Sequence, residues 1–466
     1  MSMLTASLAI AAALMPAVAL VSCRRPQSAD VPPQSRPLAL VVSGDTQGWI
    51  MPCGCASKQS GGLARRGVYV SHVREEAEVI VADVGGAPGG TARYDRLKFA
   101  AILAGEQSMN IAAHNLGAAE IMLGADELRR LARETGVPFV SANLTDADGK
   151  PIADPARLTT AGGRRVALVG VTSPRFATER VLAADPRSSV VEALAALKAR
   201  NEKFDAVIVL AYLPTDELAA LADRLPEADI VIGGPTLQSI PPRLSGPKTL
   251  VASVTNKGKF LARFDAPPPA SKEGWRGQIV DVDDSLPDDT AQMANLERYR
   301  RELAQLDLPA SDTGFVTSLG VSTAADYRVA GTESCRECHE SDAQVWHDSR
   351  HAAAWHTLVE RGWQVDSFCQ HCHTTGFGLP GGFVSAERTA ERGNVGCESC
   401  HGPSQAHQKD PARHRTTFVA RDQCMSCHDR ENSPQFSYDT YWQQIVHGAR
   451  LPPKADATHA SEGRKP

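Results

Sequence analysis

Short runs of apolar residues alternate with amphipathic stretches over the first half of the chain. The apolar runs, rich in Val, Ile, Leu and Ala, predict strands at Leu38–Ser43, Val79–Ala82, Phe139–Ser141, Arg165–Val171, Ala206–Leu210, Ile230–Ile232 and Leu250–Ser253. Apolar residues at helical spacing predict helices at Ala64–Glu76, Ala125–Glu134 and Val190–Ala199. Strands that alternate with helices are typical of an α/β domain, which we place at residues 37–266.

A linker follows this domain over residues 267–326. It opens on Pro267-Pro268-Pro269 and contains a predicted amphipathic helix, Asp288–Leu306, whose apolar side carries Met293, Leu296, Tyr299, Leu303 and Leu306. We expect this helix to pack between two domains, and a solvent-exposed helix is the alternative. The last residues, 450–466, are polar and predict a disordered tail.

The chain begins with an apolar segment from Leu4 to Val21. It leads into Cys23 through Leu-Val-Ser, which resembles the bacterial lipobox that precedes a lipid-modified cysteine. We therefore predict a lipoprotein signal peptide at residues 1–23, lipidation of Cys23 and a Pro-rich tether at residues 24–36. The protein would be anchored to a membrane on the periplasmic or cell-surface side. No Lys or Arg precedes the apolar run, and a retained spanning helix is the alternative.

The pattern Cys-x-x-Cys-His occurs four times near the carboxyl end. The copies are Cys335–His339, Cys369–His373, Cys397–His401 and Cys424–His428. Two thiols one helical turn apart can form thioethers to haem vinyl groups, and the adjacent His then ligates the iron. Zinc sites do not need a His after every cysteine pair, and disulfide frameworks do not repeat one local spacing. The sequence therefore predicts four covalently bound haem c groups.

The paired thiols and proximal ligands follow from the motif. The attachment cysteines are Cys335, Cys338, Cys369, Cys372, Cys397, Cys400, Cys424 and Cys427, and the proximal ligands are His339, His373, His401 and His428. Met425, inside the fourth motif, is the single Met of this segment, so methionine ligation is not expected. His347, His351, His356, His407, His414, His447 and His459 remain for the distal positions. We select His351, His407 and His447 as distal ligands, with ordinary polar histidines as the alternative.

Composition indicates which partners and which cellular compartment to expect. A net charge of -5 offers no basic surface for nucleic acid. Of the 11 cysteines, eight lie in the haem motifs, which leaves Cys23, Cys53 and Cys55. Haem attachment and spare cysteines both indicate a compartment outside the cytoplasm.

The segment at residues 327–449 resembles the tetrahaem cytochromes c that accept electrons from hydroxylamine oxidoreductase. The shared features are Gly331, Trp346, Ser349-Arg350-His351-Ala352, His373-Thr374-Thr375-Gly376, the run from Gly396 to Pro403, His407, Trp442 and His447. The resemblance implies a mainly helical, haem-packed domain with closely stacked haems. It also implies two His ligands on most irons and one iron that can stay five-coordinate.

The first domain resembles the 5′-nucleotidase branch of the calcineurin-like metallophosphatases. The matching stretches are SGDTQG at 43–48, GGLARR at 61–66, VADVGG at 81–86, LGAAEIMLG at 116–124, SANL at 141–144, GRRVALVGVTSP at 163–174, DAVIVLAY at 205–212, DIVIGGPTL at 229–237 and NKGKFLARFD at 256–265. The resemblance implies an α/β sandwich with two metal ions. Its metal positions here read Asp45, Gln47, Gly86, Ala118, Tyr212, Pro235 and Leu237, with Ala119 at the catalytic His. One carboxylate and a Gln cannot replace such a ligand set, so we expect no dinuclear metal and no hydrolase activity.

A thiol pair follows the first predicted strand. Cys53 and Cys55, in Met-Pro-Cys-Gly-Cys, should lie at the carboxyl end of the sheet, where α/β proteins bind ligands. We predict a redox-active or metal-binding pair, and the alternatives are inert thiols or a strained disulfide.

The predicted function is electron transfer by an exported tetrahaem cytochrome. Its partners would be other cytochromes or a quinol-linked donor, with the first domain serving for docking or ligand binding. A second hypothesis is a reductase or oxidase of a small nitrogen or sulfur compound, acting at an open haem or at Cys53 and Cys55. A metal-dependent nucleotidase ranks last.

Overall fold

The computed structural model describes residues 36–52, 59–268, 271, 273–315, 327–416 and 420–448. Cys23, the tether up to residue 35, Cys53, Cys55, His459 and the predicted tail lie outside these residues. No helix in these ranges is both long and apolar enough to cross a bilayer.

The first part of the chain alternates strands and helices, as its sequence pattern predicts. The strands are β1 (Leu38–Ser43), β2 (Glu78–Asp83), β3 (Ile111–Asn115), β4 (Phe139–Val140), β5 (Leu144–Asp146), β6 (Ala156–Ala161), β7 (Arg164–Thr172), β8 (Val181–Ala183), β9 (Ala206–Tyr212), β10 (Ile230–Gly234), β11 (Ile240–Ser245), β12 (Thr249–Ser253), β13 (Phe260–Asp265) and β14 (Arg276–Asp281). The helices are α1 (Leu63–Glu76), α2 (Arg93–Ser108), α3 (Ala118–Ile121), α4 (Ala125–Thr135), α5 (Pro186–Ala199), α6 (Thr215–Asp223) and α7 (Thr290–Leu306).

Two six-stranded sheets form the centre of this region. The first has the order β14-β13-β1-β2-β3-β4 and the second β11-β12-β10-β9-β7-β6, while β5 and β8 form a separate ribbon. The strands β1 to β4 are mutually parallel, as are β7, β9, β10 and β12. Because parallel strands end at the same edge, the residues after β1, β2, β3, β9 and β10 converge.

Three buried apolar layers hold the sandwich together. One layer lies between the two sheets and includes Leu40, Ile80, Leu168, Ile208 and Phe264. A second packs α1, α2, α4 and α7 on the outer face of the first sheet, and a third packs α5 and α6 on the second sheet. The fold is therefore an α/β sandwich with helices on both outer faces, the metallophosphatase-like class that the sequence predicts.

The predicted linker contributes to this sandwich. Strand β14 pairs antiparallel with β13, which extends the first sheet past residue 266. Helix α7 buries Leu296, Tyr299 and Leu303 in the same core as α1 and α2. Met293, predicted on the apolar side, is 45% exposed. The apolar stripe of α7 therefore belongs mainly to the first domain.

The carboxyl-terminal part consists of short helices. They are α8 (Thr332–Arg336), α9 (Glu340–His347), α10 (Ala354–Arg361), α11 (Ser367–His373), α12 (Cys397–His401), α13 (Gln405–Lys409), α14 (Ala420–Met425) and α15 (Tyr438–Trp442). Its buried apolar residues, within the part that the structure describes, are Val329, Ala343, Ala354, Leu358, Phe377, Leu379 and Phe383. These side chains are too few to form a conventional core, so the fold needs another apolar component.

Candidate haem sites and the degenerate metal site

Each of the four motifs begins or ends on a short helix. Helix α11 carries the whole second motif and α12 the whole third, while Cys335 lies on α8 and Cys424 on α14. Cysteines three residues apart lie on the same side of a helical turn, as attachment to one porphyrin edge requires. The backbone N–H of His339 donates to the carbonyl of Cys335, and that of His428 to Cys424, which keeps these motifs helical as well.

Three of the four proximal histidines face one of the histidines selected as distal ligands. The ring centroids of His339 and His407 are 6.3 Å apart, those of His351 and His428 6.2 Å, and those of His401 and His447 5.9 Å. Two imidazole nitrogens at about 2 Å from one metal ion put their ring centres about 6 Å apart. The paired histidines therefore fit an iron between them.

Hydrogen bonds at Nδ1 leave Nε2 of these rings available for a metal. Nδ1 of His407 donates to the carbonyl of His414 at 2.7 Å, and Nδ1 of His447 to that of Ile445 at 2.8 Å. Nδ1 of His373 likewise donates to the carbonyl of Ala354 at 2.7 Å. A carbonyl only accepts, so the proton must reside on Nδ1 and Nε2 keeps its lone pair.

Burial favours the neutral imidazoles that metal ligation requires. It lowers the pKa of His351, and the neighbouring His428 lowers it further. Burial also lowers the pKa of His401, again with a contribution from the His facing it, His447. Both rings are therefore neutral near pH 7.

The degenerate metal site of the first domain has a different character. Asp45 follows β1 with a φ of 51°, and its carboxylate accepts from Nε2 of Gln47 at 3.0 Å and from the hydroxyl of Thr255. Burial raises the pKa of this carboxyl. The two hydrogen bonds to the Asp45 carboxylate thus come from neighbouring side chains of the first domain.

Tyr212, at the end of β9, fills the space beside Asp45. A Cβ atom added to Gly86 would lie 2.7 Å from the Tyr212 ring and 3.1 Å from Cα of Asp45. A Cβ added to Gly117 would lie 2.8 Å from the same ring. A carboxylate at position 86 therefore has no room while the Tyr212 ring stays in place.

A buried polar network lies beneath this site and was not predicted from the sequence. Nδ1 of His114 contacts Oε2 of Glu106 at 2.8 Å, and Nε2 contacts Oε1 of Glu120 at 3.3 Å. Burial lowers the pKa of His114, but the two carboxylates raise it more, so it lies well above the usual value. The two carboxylates therefore favour the protonated form of this buried ring.

Glu106, His114 and Asp83 lie close enough to hold a metal ion, but their hydrogen bonds favour a polar network. Asp83 accepts from the hydroxyl of Ser43 at 2.5 Å and from the backbone of Gly85 at 2.7 Å, and it lies 3.9 Å from the buried Arg66. Both nitrogens of His114 already have carboxylate partners. No spacing motif links Glu106 with His114, so sequence patterns could not have found the pair.

The haem-motif segment matches a known family. Residues 334–402 match the family described as cytochrome c554 and c-prime. Cytochrome c-554 of Nitrosomonas europaea is 30% identical over 155 residues, a match that covers 26% of this chain and 66% of that protein.

The segment is therefore similar to the cytochrome c554 family. This likeness indicates a multihaem electron-transfer cytochrome with covalently bound haem c, in agreement with the prediction from the sequence.

The first domain resembles metallophosphatases in sequence and in fold. Protein 5NUC of Lutzomyia longipalpis is 25% identical over 282 residues, which are 53% of this chain and 49% of that protein. A sulfate thiohydrolase, SoxB, of Thermus thermophilus superposes with a TM-score of 0.51 and 19% identity, covering 60% of this chain and 64% of that one. A 5′-nucleotidase precursor from the same species gives a TM-score of 0.51 and 18% identity, covering 76% of this chain and 73% of that one. These structural likenesses establish the metallophosphatase fold of the domain.

The four Cys-x-x-Cys-His motifs of the carboxyl-terminal segment form a connected series. The thiol of Cys335 in the first site lies beside that of Cys397 in the third, and Cys427 in the fourth lies beside Cys372 in the second. Cys400 of the third site is close enough to Cys424 of the fourth for their charges to interact. The spatial order is therefore first, third, fourth, second.

The second site differs from the other three. Among the described residues, no His ring faces that of His373 in the way that the three pairs face each other. Phe368, just before this motif, contacts the ring of Trp49 in the first domain. His371, inside the motif, stacks on Phe315 of the linker. The second site is thus packed against the first domain.

A buried glutamate joins the first and third sites. Glu398, inside the third motif, accepts from the backbone N–H groups of Ala330, Gly331 and Ser404 at 2.8, 2.6 and 2.7 Å. Gly331 has a φ of 99°, which explains why a glycine opens the first motif.

The remaining histidines of the cytochrome segment have other surroundings. His347 is 68% exposed, and His356, 71% exposed, pairs with Glu360 on the next helical turn. His414 supplies its carbonyl to His407. These residues are positioned as surface or supporting groups.

Proposed function

We propose that this protein is an exported, membrane-anchored tetrahaem cytochrome that carries single electrons in a respiratory or redox chain. The observation that carries the proposal is the set of three histidine pairs with ring centroids 5.9 to 6.3 Å apart. When attached, haem c takes up and releases one electron at its iron. The chain supplies eight thiols for attachment and seven axial histidines, and it sets the order and exposure of the sites.

The order of the sites gives the relay two ends. The first site is the exposed end, because Cys338 is exposed and the side chain of His339 is 55% exposed. The second site is the covered end, because Phe368 packs edge-on against Trp49 with ring centroids 4.9 Å apart. Electrons would enter or leave at the first site through a redox partner protein, such as another cytochrome or a quinol-linked donor.

The first domain would act by docking or by ligand binding, without a dinuclear metal centre. Lys257 of this domain lies 4.8 Å over the ring of Trp49 and forms an ion pair with Glu431, just after the fourth motif. The loop that holds Asp45 is thereby tied to the second and fourth sites. Cys53 and Cys55 follow Asp45 closely in the sequence, and we propose them as candidate redox-active thiols.

The proposed location is the periplasmic or cell-surface side of a membrane, with lipid-modified Cys23 as the anchor. This part of the proposal rests on the apolar segment and the lipobox-like sequence before Cys23. Metabolic labelling with a fatty acid would mark the wild-type protein, and a Cys23→Ala variant would stay unlabelled.

Haem counting tests the tetrahaem relay. The full chain, produced with the cytochrome c maturation machinery, should gain the mass of four haems and should reduce fully with dithionite. Fewer than four attached haems in the wild-type chain would contradict the proposal.

A second candidate function is reduction or oxidation of a small nitrogen or sulfur compound at the second site. His373 favours it, since no described His ring faces it and its iron would keep an open position. Binding of nitric oxide or cyanide to one haem in four would support this function. If neither ligand binds, electron transfer is the remaining function.

A further inference from the structure

One buried carboxylate connects the first domain to the helix of the second haem motif. Asp366 caps the amino end of α11, where it accepts the backbone N–H of Phe368 at 2.9 Å. Three residues later in the chain comes Cys369, the first attachment cysteine of this motif. Asp366 thus fixes the start of the helix that presents both cysteines and His373.

Two tyrosines of the first domain bind the same carboxylate. Tyr94 on α2 donates its hydroxyl to Oδ1 of Asp366 at 2.5 Å, and Tyr299 on α7 donates to Oδ2 at 3.1 Å. All three residues are buried: Tyr94 is 1% exposed, Tyr299 3% and Asp366 4%. Both oxygens of the carboxylate are therefore satisfied by donors that water cannot replace.

The charge on Asp366 has no ion-pair partner within 4.0 Å among the described residues. Lys98 lies at this joint, with its Nζ 4.8 Å from the ring centre of Tyr94 and 5.0 Å from that of Phe368. Neutral hydroxyl and amide dipoles stabilise the carboxylate but leave its net charge in a poorly screened interior. A buried negative charge near an iron favours the ferric over the ferrous state.

The two hydroxyls remain donors over the whole working pH range. Burial, together with the Asp366 charge, raises the pKa of both Tyr94 and Tyr299 well above the usual value. The network is therefore fixed with two O–H donors and one acceptor group.

We propose that Asp366, held by Tyr94 and Tyr299, is a positioning residue that lowers the reduction potential of the second haem. The inference rests on the proposed function, because it requires a haem at Cys369 and Cys372. It assigns the first domain a specific role that does not depend on metal ligands. Through two hydroxyl groups, the domain sets the potential of the neighbouring redox site.

The test is a spectroelectrochemical titration of the full haem-loaded protein. Asp366→Asn removes the charge and retains an oxygen that can cap α11. The substitution should raise the equilibrium constant for reduction of the second haem about tenfold. This corresponds to an upward shift of its reduction potential by about 59 mV for one electron. The other three potentials should stay in place. The second-site component is assigned by its high-spin ferric signal.

A second variant separates an electrostatic role from a structural one. Tyr299→Phe removes one O–H dipole that partly neutralises the carboxylate, so it should shift the same potential downward, by less than Asp366→Asn shifts it upward. Loosened packing alone would move both variants in the same direction, and that result would overturn the inference.

Asp348→Asn provides the matched control. Asp348 is a carboxylate of the cytochrome segment whose side chain is 68% exposed, so water screens its charge and no potential should move. Four haems with unshifted midpoints in Asp366→Asn would refute the role of Asp366. Fewer than four haems in the wild-type protein would instead refute the proposed function.

Discussion

The degenerate metal site and the cytochrome segment differ in how many of their ligand residues the sequence retains. At the degenerate metal site, Gly86, Ala118 and Pro235 carry no side-chain donors, and the ring of Tyr212 fills the space beside Asp45. In the cytochrome segment every motif keeps its cysteines and its His, and three histidine pairs share one separation.

The difference follows from what each region needs to fold. The first domain has three apolar layers of its own, so its fold does not depend on metal ligands. Packing of Tyr212 and hydrogen bonding of Asp45 stabilise the region in their place. The cytochrome segment buries few apolar side chains, so its fold depends on the group that its histidines and cysteines hold. In the proposed relay the haem ligands would therefore also support the fold, whereas the first domain has apolar layers of its own.

Loss of an attachment thiol should have the largest effect. Cys400→Ala removes a thioether at the third site, the second position in the spatial order, and should reduce the haem count and the yield of folded protein severely. Mass spectrometry and visible spectra of the purified chain measure both. The double variant Cys53→Ala/Cys55→Ala is the control and should keep four haems. An unchanged count in Cys400→Ala would contradict the dependence of this segment on its thiols.

Removal of a facing His should change the spin state of one iron. In His447→Ala, the third site loses the ring 5.9 Å from His401, so one low-spin ferric signal should become high-spin. His347→Ala, at an exposed position, should leave the spectrum unchanged. If both variants keep the wild-type spectrum, His447 is not a ligand.

An attempt to restore the metal site should destabilise the first domain. Gly86→Asp forces a Cβ to within 2.7 Å of the Tyr212 ring at a residue with a φ of 78°, which should cost about 1–3 kcal/mol of unfolding free energy. Chemical denaturation measures the loss. In a Tyr212→Ala background, Gly86→Asp should cost less than in the wild-type chain, because the ring that its Cβ meets has been removed. Nucleotide cleavage that a chelator abolishes, in the wild-type protein, would show instead that the site still works.

Replacement of the buried His114 should have an effect on stability that depends on pH. The folded-state pKa of His114 is raised, so its stabilisation is fully present below the unfolded pKa of about 6.5. It declines as pH rises through the folded pKa. His114→Gln should therefore be less stable than wild type at pH 6, by about 1–3 kcal/mol, with a smaller difference at higher pH.

Denaturant unfolding of both proteins across this pH range tests the trend. A control with His72→Gln, on the surface of α1, should show no comparable gap at pH 6. A difference for His114→Gln that grows with pH would contradict a charged His114.

Local patterns predicted much of this molecule. Apolar runs located β1 and β9 within two residues of their ends. The motif spacing selected the thiols and proximal ligands, which remain a prediction. Strand β3 was not predicted, because Ile111–Asn115 ends in buried His and Asn and so lacks an apolar run. Helix α2 was not predicted, because Lys98 and Glu106 interrupt the apolar pattern of its buried side.

Long-range pairing could not be predicted from local patterns. Elimination selected His351, His407 and His447, but nothing in their spacing says that His351 lies opposite His428, the most distant proximal ligand in the sequence. The contacts of Glu106 with His114 and of Asp366 with Tyr94 and Tyr299 likewise join residues whose separation carries no motif. Such pairs depend on tertiary packing.

Low-temperature electron paramagnetic resonance of the oxidised, fully haem-loaded chain tests the relay most directly. Three histidine pairs, and a His373 that no described His ring faces, predict low-spin and high-spin ferric iron in a ratio of three to one. The high-spin signal should be confined to the second site. Four low-spin signals, or more than one high-spin iron, would contradict this assignment of the axial ligands.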